Sequence, residues 1–265
     1  MNDRSADLSY FEVAEVNVMA TQVMPSREQR FVSGSTNIPE NLLALPGTVI
    51  FAGLSHRDLT EILSSARMRT FARDEVLYSQ GQPVRSIMVL QSGSVKHTQL
   101  SSNGDEVLLR MSGTGEAVNL QSGPHASTHS CSVRAMEQSR AWVWEYSRLQ
   151  ELLERYPRLR QNIAQVLVSR LHELEERFRE IATEKVARRL ALVLLRLSTQ
   201  IGKTTPDGVQ VSLSREELAQ MTGTTLFTIS RVFSKWAESG LVCPKREAVI
   251  ILNAKRLEME SEYIV

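Results

Sequence analysis

A chain of 265 residues suits two domains of ordinary size. Its 42% hydrophobic and 6% aromatic content is that of a globular protein, and 31 Lys plus Arg against 30 Asp plus Glu leave no global basic excess, so any charge for nucleic acid must be local. The two cysteines, Cys131 and Cys243, have no CxxC or histidine spacing, which argues against a disulfide framework, a structural zinc site or a four-cysteine iron–sulfur cluster, and no apolar run approaches the ~20 residues of a membrane span.

The N-terminus opens with Asp3, Arg4 and Asp7, not a basic region followed by an apolar core, so no signal peptide and a cytoplasmic location are expected. Residues 1–45 read as a flexible, polar leader. Residues 46–155 read as a β-rich sensor domain. In it Gly81, Gly93, Gly104 and Gly115 punctuate β-prone runs at Ser86–Leu90, Ser94–Leu100, Glu106–Met111 and Arg140–Trp144. Turn signals every ~8–12 residues fit a sandwich or barrel of jelly-roll type. The helix-friendly segment SHRDLTEILSSARM precedes it and would cover one open end. Ser101-Ser102-Asn103-Gly104-Asp105 reads as a hairpin tip, because Asn-Gly tolerates positive φ at both central positions.

After Pro157, residues 156–182 form a helical block in which Ala164, Leu167, Leu171, Leu174, Phe178 and Ile181 recur in alternating steps of three and four. This narrow apolar seam on a charged helix calls for a second helix, here a second copy of the chain. Residues 183–265 read as a DNA-binding domain. VARRLALVLLRL is apolar on nearly all sides and would form its floor, with Thr183 as N-cap and hinge. In SLSREELAQMTGTTLFTISRVFSKWAESGLV, apolar residues recur at helical spacing and Gly223 falls where a tight turn belongs. Ser214 can cap the first helix with Glu217 as reciprocal partner, and Thr224 or Thr225 can cap the second. Two short helices around a Gly turn form a helix-turn-helix whose second helix can enter the major groove. That helix, around 225–237, has no acid before Glu238, as a phosphate backbone requires. Leu241–Leu252 reads as a wing in which Lys245 and Arg246 reach phosphate.

The order β-roll, long helix, hinge and winged helix-turn-helix resembles the Crp/Fnr (catabolite activator) family of transcription regulators. The motifs that carry the resemblance are LSHRDLTEILSSA, YSQGQP, LQSGSVKHTQ, SNGDEVLL, GTGEAV, the heptad helix, VARRLALVLLRL and the SREELAQMTGTT and FTISR segments. It implies an α+β protein with an N-terminal β-roll (jelly-roll, cyclic-nucleotide-binding-like), a long dimerisation helix and a C-terminal winged helix-turn-helix. It implies a homodimer on double-stranded DNA with a palindromic operator, and RNA polymerase as a partner if the protein activates. Arg231 then becomes the base reader of a guanine, Ser230 its helper on a neighbouring thymine, Thr225 and Thr228 phosphate contacts, and Ser214 with Arg215 a phosphate clamp. Leu226 and Phe227 stand where the family usually has a polar pair, often including a Glu. A Phe cannot accept from cytosine N4, though it can pack on a thymine methyl.

For the effector, Gly115-Glu116 matches the family's ribose site, but His129 followed by Ser130 stands where the cAMP branch has the phosphate arginine. Losing that guanidinium fork argues against cAMP. Haem stays open, with His97, His125, His129 and several Met available. Cys131 offers a thiol switch only if it is accessible; a buried inert thiol is the alternative. No GxSxG elbow, phosphate loop, HExxH or GxGxxG supports an enzyme. The competing class is a cyclic-nucleotide-binding regulatory protein, which leaves the helix-turn-helix unexplained.

Overall fold

The computed structural model describes residues 48–104, 106–120 and 128–260; the leader, Asp105 and His125 lie outside them. A 3-10 turn at Thr48–Phe51 and helix α1 (His56–Ser64) lead into seven strands: β1 (Arg67–Phe71), β2 (Val76–Tyr78), β3 (Ser86–Ser92), β4 (Val95–Leu100), β5 (Glu106–Ser112), β6 (Ser132–Ala135) and β7 (Ser139–Glu145). They form two antiparallel sheets, ordered β1-β7-β3 and β2-β6-β4-β5. Strand alternation decides the layers. In β3, Met88 and Leu90 enter the roll interior with Phe71, Val95 and Val133. Ile87 and Val89 point the other way, into a cluster with Phe51, Leu59, Ile62 and Trp142 under the helices. At the β4–β5 hairpin the Gly104 amide donates to the Ser101 carbonyl at 3.1 Å. The expected hairpin tip is there, and among its described residues Gly104 takes the left-handed conformation, at φ 87°, while Asn103 does not.

Helix α2 (Tyr146–Arg155) returns to the roll, and α3 (Pro157–Thr183) then runs for 27 residues with Pro157 in its first turn, where its missing N–H costs nothing. Only Leu159, Asn162 and Glu180 of α3 are buried. Asn162 Nδ2 donates to the Ile50 and Ala52 carbonyls at 3.0 and 2.8 Å, and Arg177 reaches the Leu109 carbonyl at 2.6 Å. Leu167, Leu171, Leu174, Phe178 and Ile181 form an exposed stripe, with Leu174 62% and Phe178 75% exposed.

Thr183 does not cap the next helix. Its hydroxyl donates to the Arg179 carbonyl at 2.9 Å, one turn back in α3, the partner a Thr in a last turn finds within reach. Lys185 is the extended residue that starts α4 (Val186–Gln200), with no side-chain cap. The remaining elements are β8 (Lys203–Thr205), β9 (Gly208–Val211), α5 (Arg215–Thr222), α6 (Leu226–Glu238), β10 (Val242–Pro244), β11 (Val249–Ile251) and α7 (Ala254–Glu260). The four strands form one antiparallel sheet ordered β10-β11-β9-β8. Leu190, Leu194 and Leu197 of α4 pack under Leu218, Ile229, Phe233 and Trp236. Leu108 and Met111 of the roll join this same core.

The α3–α4 bend is held by a forked ion pair. Arg196 Nη1 and Nη2 donate to Glu180 Oε1 and Oε2 at 2.6 and 2.8 Å, and the Glu180 side chain is only 6% exposed. Arg196→Met leaves a buried carboxylate without its guanidinium. We expect a loss of about 3 kcal/mol in chemical denaturation, the low end of the range for such breaks because Arg196 keeps part of its hydration. Adding Glu180→Leu should recover most of it; a single variant as stable as the parent would show that the clamp contributes nothing.

Candidate nucleic-acid interface and effector pocket

Both helices of the helix-turn-helix start on side-chain caps. The Glu217 amide donates to Ser214 Oγ at 3.2 Å while the Ser214 amide donates to Glu217 Oε2 at 2.9 Å, a complete capping box. Gly223 closes α5 at φ 60°, where a Cβ would be strained. Thr225 then caps α6 by accepting from the Thr228 amide at 3.2 Å. Of α6, Ile229, Phe233 and Trp236 face the core. The opposite face carries Phe227, Arg231 and Lys235, all exposed, and the first turn holds no acid. Phe227 is 74% and Leu226 51% exposed.

Thr225, Leu226, Phe227 and Arg231 are thus gathered on the open start of α6, with Thr228 and Ser230 half-buried beside them. Arg215 Nη1 donates to Ser230 Oγ at 3.3 Å, tying α5 to α6. Ser214 lies elsewhere, in a groove of about 780 Å³ between roll and DNA-binding domain, also lined by Lys96, Thr98, Lys245 and Arg246. Lys245 and Arg246 sit at the tip of the β10–β11 hairpin, where the Lys245 amide donates to the Ala248 carbonyl at 2.8 Å. Across this groove Lys96 Nζ meets Glu217 Oε1 at 2.8 Å. Burial raises the Glu217 carboxyl, but hydrogen bonds from Lys96 and Ser214 outweigh it and hold the group below the usual carboxylate range.

Gly115, Glu116, His129 and Ser130 are the residues expected for the effector. Glu116 lines a cavity of about 350 Å³ with Arg110, Arg170 and Arg196, where roll, α3 and α4 meet; His129 and Ser130 do not line it. Gly115 contributes backbone, its amide donating to the Leu90 carbonyl at 2.8 Å. His129 is buried and stacked on Tyr78, centroids 3.8 Å apart, and burial lowers its pKa. Ser130 is exposed, its carbonyl accepting from Gln99.

Inside the roll runs a polar chain that sequence reasoning missed. Cys131 Sγ lies 4.0 Å from His97 Nδ1, and His97 Nε2 lies 3.0 Å from Ser112 Oγ. Arg110 Nη2 donates to Ser112 and, at 2.8 Å, to Glu116 Oε2. His97 is fully buried; burial, with Arg110 and Arg170 nearby, holds it neutral. Burial and Arg110 also lower Arg170 to about 10. An arginine inside the apolar run LLRM was the signal for Arg110. Nothing local marked Arg170 among the charges of α3.

A model of the cyclic nucleotide-binding domain matches residues 68–156, and one of the Crp-like helix-turn-helix domain matches residues 188–260. The transcriptional activator protein anr of Pseudomonas aeruginosa is 26% identical over 193 residues, 72% of this chain and 79% of that protein. The cyclic AMP receptor protein of Thermus thermophilus is 27% identical over 214 residues, 81% of this chain and 97% of that protein. Among solved structures, the c-di-GMP responsive global regulator CLP of Xanthomonas campestris superposes with a TM-score of 0.64 at 24% identity, covering 75% of this chain and all of that one. A nucleotide-binding-type roll followed by this helix-turn-helix defines an effector-responsive, DNA-binding transcription regulator, a class without enzymatic activity. The chain belongs to the Crp/Fnr family. Among the described residues no helix is long and apolar enough to cross a membrane.

With His129 stacked on Tyr78 in place of a guanidinium, we expect millimolar cAMP to leave the melting temperature and DNA affinity unchanged. A ligand at 100 times its Kd would stabilise by about 2.7 kcal/mol, which thermal denaturation resolves easily. A clear upward shift would overturn the reading of His129.

Proposed function

We propose that this regulator works in the cytoplasm as a homodimer on a palindromic operator, with Arg231 reading a guanine in each half-site. The observation that carries the reading is the exposed face of α6: a cation and two apolar side chains on an acid-free helix start, with the opposite face locked in the core. Thr225, Thr228 and Arg215 support it at phosphate, Ser230 beside Arg231 at the base edge, and Lys245 and Arg246 at the wing. The exposed seam from Ala164 to Ile181 pairs with its copy and sets two such helices about one DNA turn apart. The chain divides accordingly into a sensor (46–155), a dimer helix (156–182) and a DNA-binding domain (183–265), and RNA polymerase is the partner if it activates.

The relatives answer to different signals: one is a cyclic AMP receptor and another is c-di-GMP responsive. Here the effector site is the junction cavity. A ligand there would touch Glu116 and Arg110 of the roll, Arg170 of α3 and Arg196 of α4 at once. Such a ligand biases the domain arrangement by its differential affinity for the arrangements.

Leu174→Lys places like charges against each other across the two-fold axis and forgoes burial of two Leu side chains, about 1.5–3 kcal/mol each. Sedimentation should then show monomers at micromolar concentration, and a persistent dimer would move the interface off this seam. Arg231→Ala should cost about 1–3 kcal/mol per half-site and relax one guanine position in a randomised-operator selection. Lys245→Ala should weaken all sequences alike and reduce the salt slope by about 1. Unchanged sequence preference in Arg231→Ala would rule out α6 as the reader.

A further inference from the structure

The described Phe residues divide sharply. Phe51, Phe71 and Phe233 are at most 2% exposed, whereas Phe178 and Phe227 are about three-quarters exposed. Phe178 lies on the α3 stripe. Phe227 stands on the acid-free first turn of α6, one turn before Arg231, with the half-exposed Leu226 beside it. Exposed aromatic and aliphatic side chains at the centre of a cationic binding face are what interfaces recruit. On the major-groove edge of a base pair the one apolar group that projects into the groove is the C5-methyl of thymine or 5-methylcytosine; cytosine has a bare C5–H in its place, and the remaining edge groups are hydrogen-bond donors and acceptors. A phenyl ring has neither to offer.

We propose that Phe227, flanked by Leu226, is a specificity-determining reader of a 5-methylpyrimidine in the operator. The base is thymine, or 5-methylcytosine where the DNA is methylated. This rests on α6 being the recognition helix and names what its apolar residues recognise. Side chains four apart on a helix lie about 5–6 Å apart, so the methyl falls one or two base pairs from the guanine of Arg231. Because the ring is indifferent to the N4 amino group or O4 oxygen beside the methyl, a methylated C·G pair substitutes for T·A and an unmethylated one does not. Operator affinity then depends on cytosine methylation at that position.

The full-length protein should first select its operator from a randomised duplex library. Fluorescence anisotropy then follows versions in which each thymine is replaced by deoxyuridine, which removes only the methyl. At one position per half-site the loss should be about fourfold, and about fifteenfold when both half-sites change, from about 0.8 kcal/mol per methyl. There, 5-methylcytosine should bind like thymine and cytosine like deoxyuridine. Phe227→Ala should erase these differences while keeping the guanine preference that Arg231→Ala removes; Phe227→Glu should favour unmethylated C·G. If Arg231→Ala loses the guanine preference but thymine and deoxyuridine bind alike everywhere, methyl reading is wrong and α6 remains the reader. If Arg231→Ala changes nothing, both fall.

Discussion

Helix α3 has two faces with opposite needs, and the rest of the molecule is arranged around that division. One face hangs on the roll through guanidinium and amide donors to backbone carbonyls, with Asn162 at the start and Arg177 nearer the end. Such bonds fix position without burying much apolar surface. The other face is apolar, and its stripe stays largely exposed, Leu174 to 62% and Phe178 to 75%. The helix is about 40 Å long. Glu180 stands at its far end, so the α3–α4 bend and all that packs on α4 inherit its position.

The junction cavity gains meaning from the same arrangement. Arg110 belongs to the roll, Arg170 to α3 and Arg196 to α4, so three guanidinium groups from three bodies border one space. Arg110 and Arg196 are already committed to Glu116 and Glu180. Behind the cavity the buried chain Cys131–His97–Ser112 ties Arg110 into the roll interior.

Amphipathic helices were legible in the chain because their spacing is local, as in the buried faces of the α5–α6 pair and the exposed stripe on α3. Strands β3, β4 and β5 were legible from β-prone runs between glycines, and β7 from the later run Arg140–Trp144. Strand β1, with two arginines in five residues, and the short β2 and β6 were not, since their partners lie far along the chain. The polar look of KHTQ hid that His97 and Thr98 are buried, an environment created by Ser112 on the neighbouring strand. The Thr183 cap failed because a hydroxyl in a last turn finds its own helix first. Arg170 was invisible because its significance comes only from β5 and α4 arriving beside it.

Glu217 illustrates how one side chain can make two properties genetically inseparable. Its carboxylate completes the capping box of α5 and also meets Lys96 across the groove. A substitution at 217 that removes its side-chain acceptor therefore weakens the cap of the first helix of the DNA-reading unit and one contact of that unit with the roll together, while Glu217→Gln keeps a capping acceptor. A screen for variants with altered communication between the domains would recover changes at 217 mixed with folding defects. Lys96 carries only the second property, so the docking contact can be varied from the roll side without touching the cap.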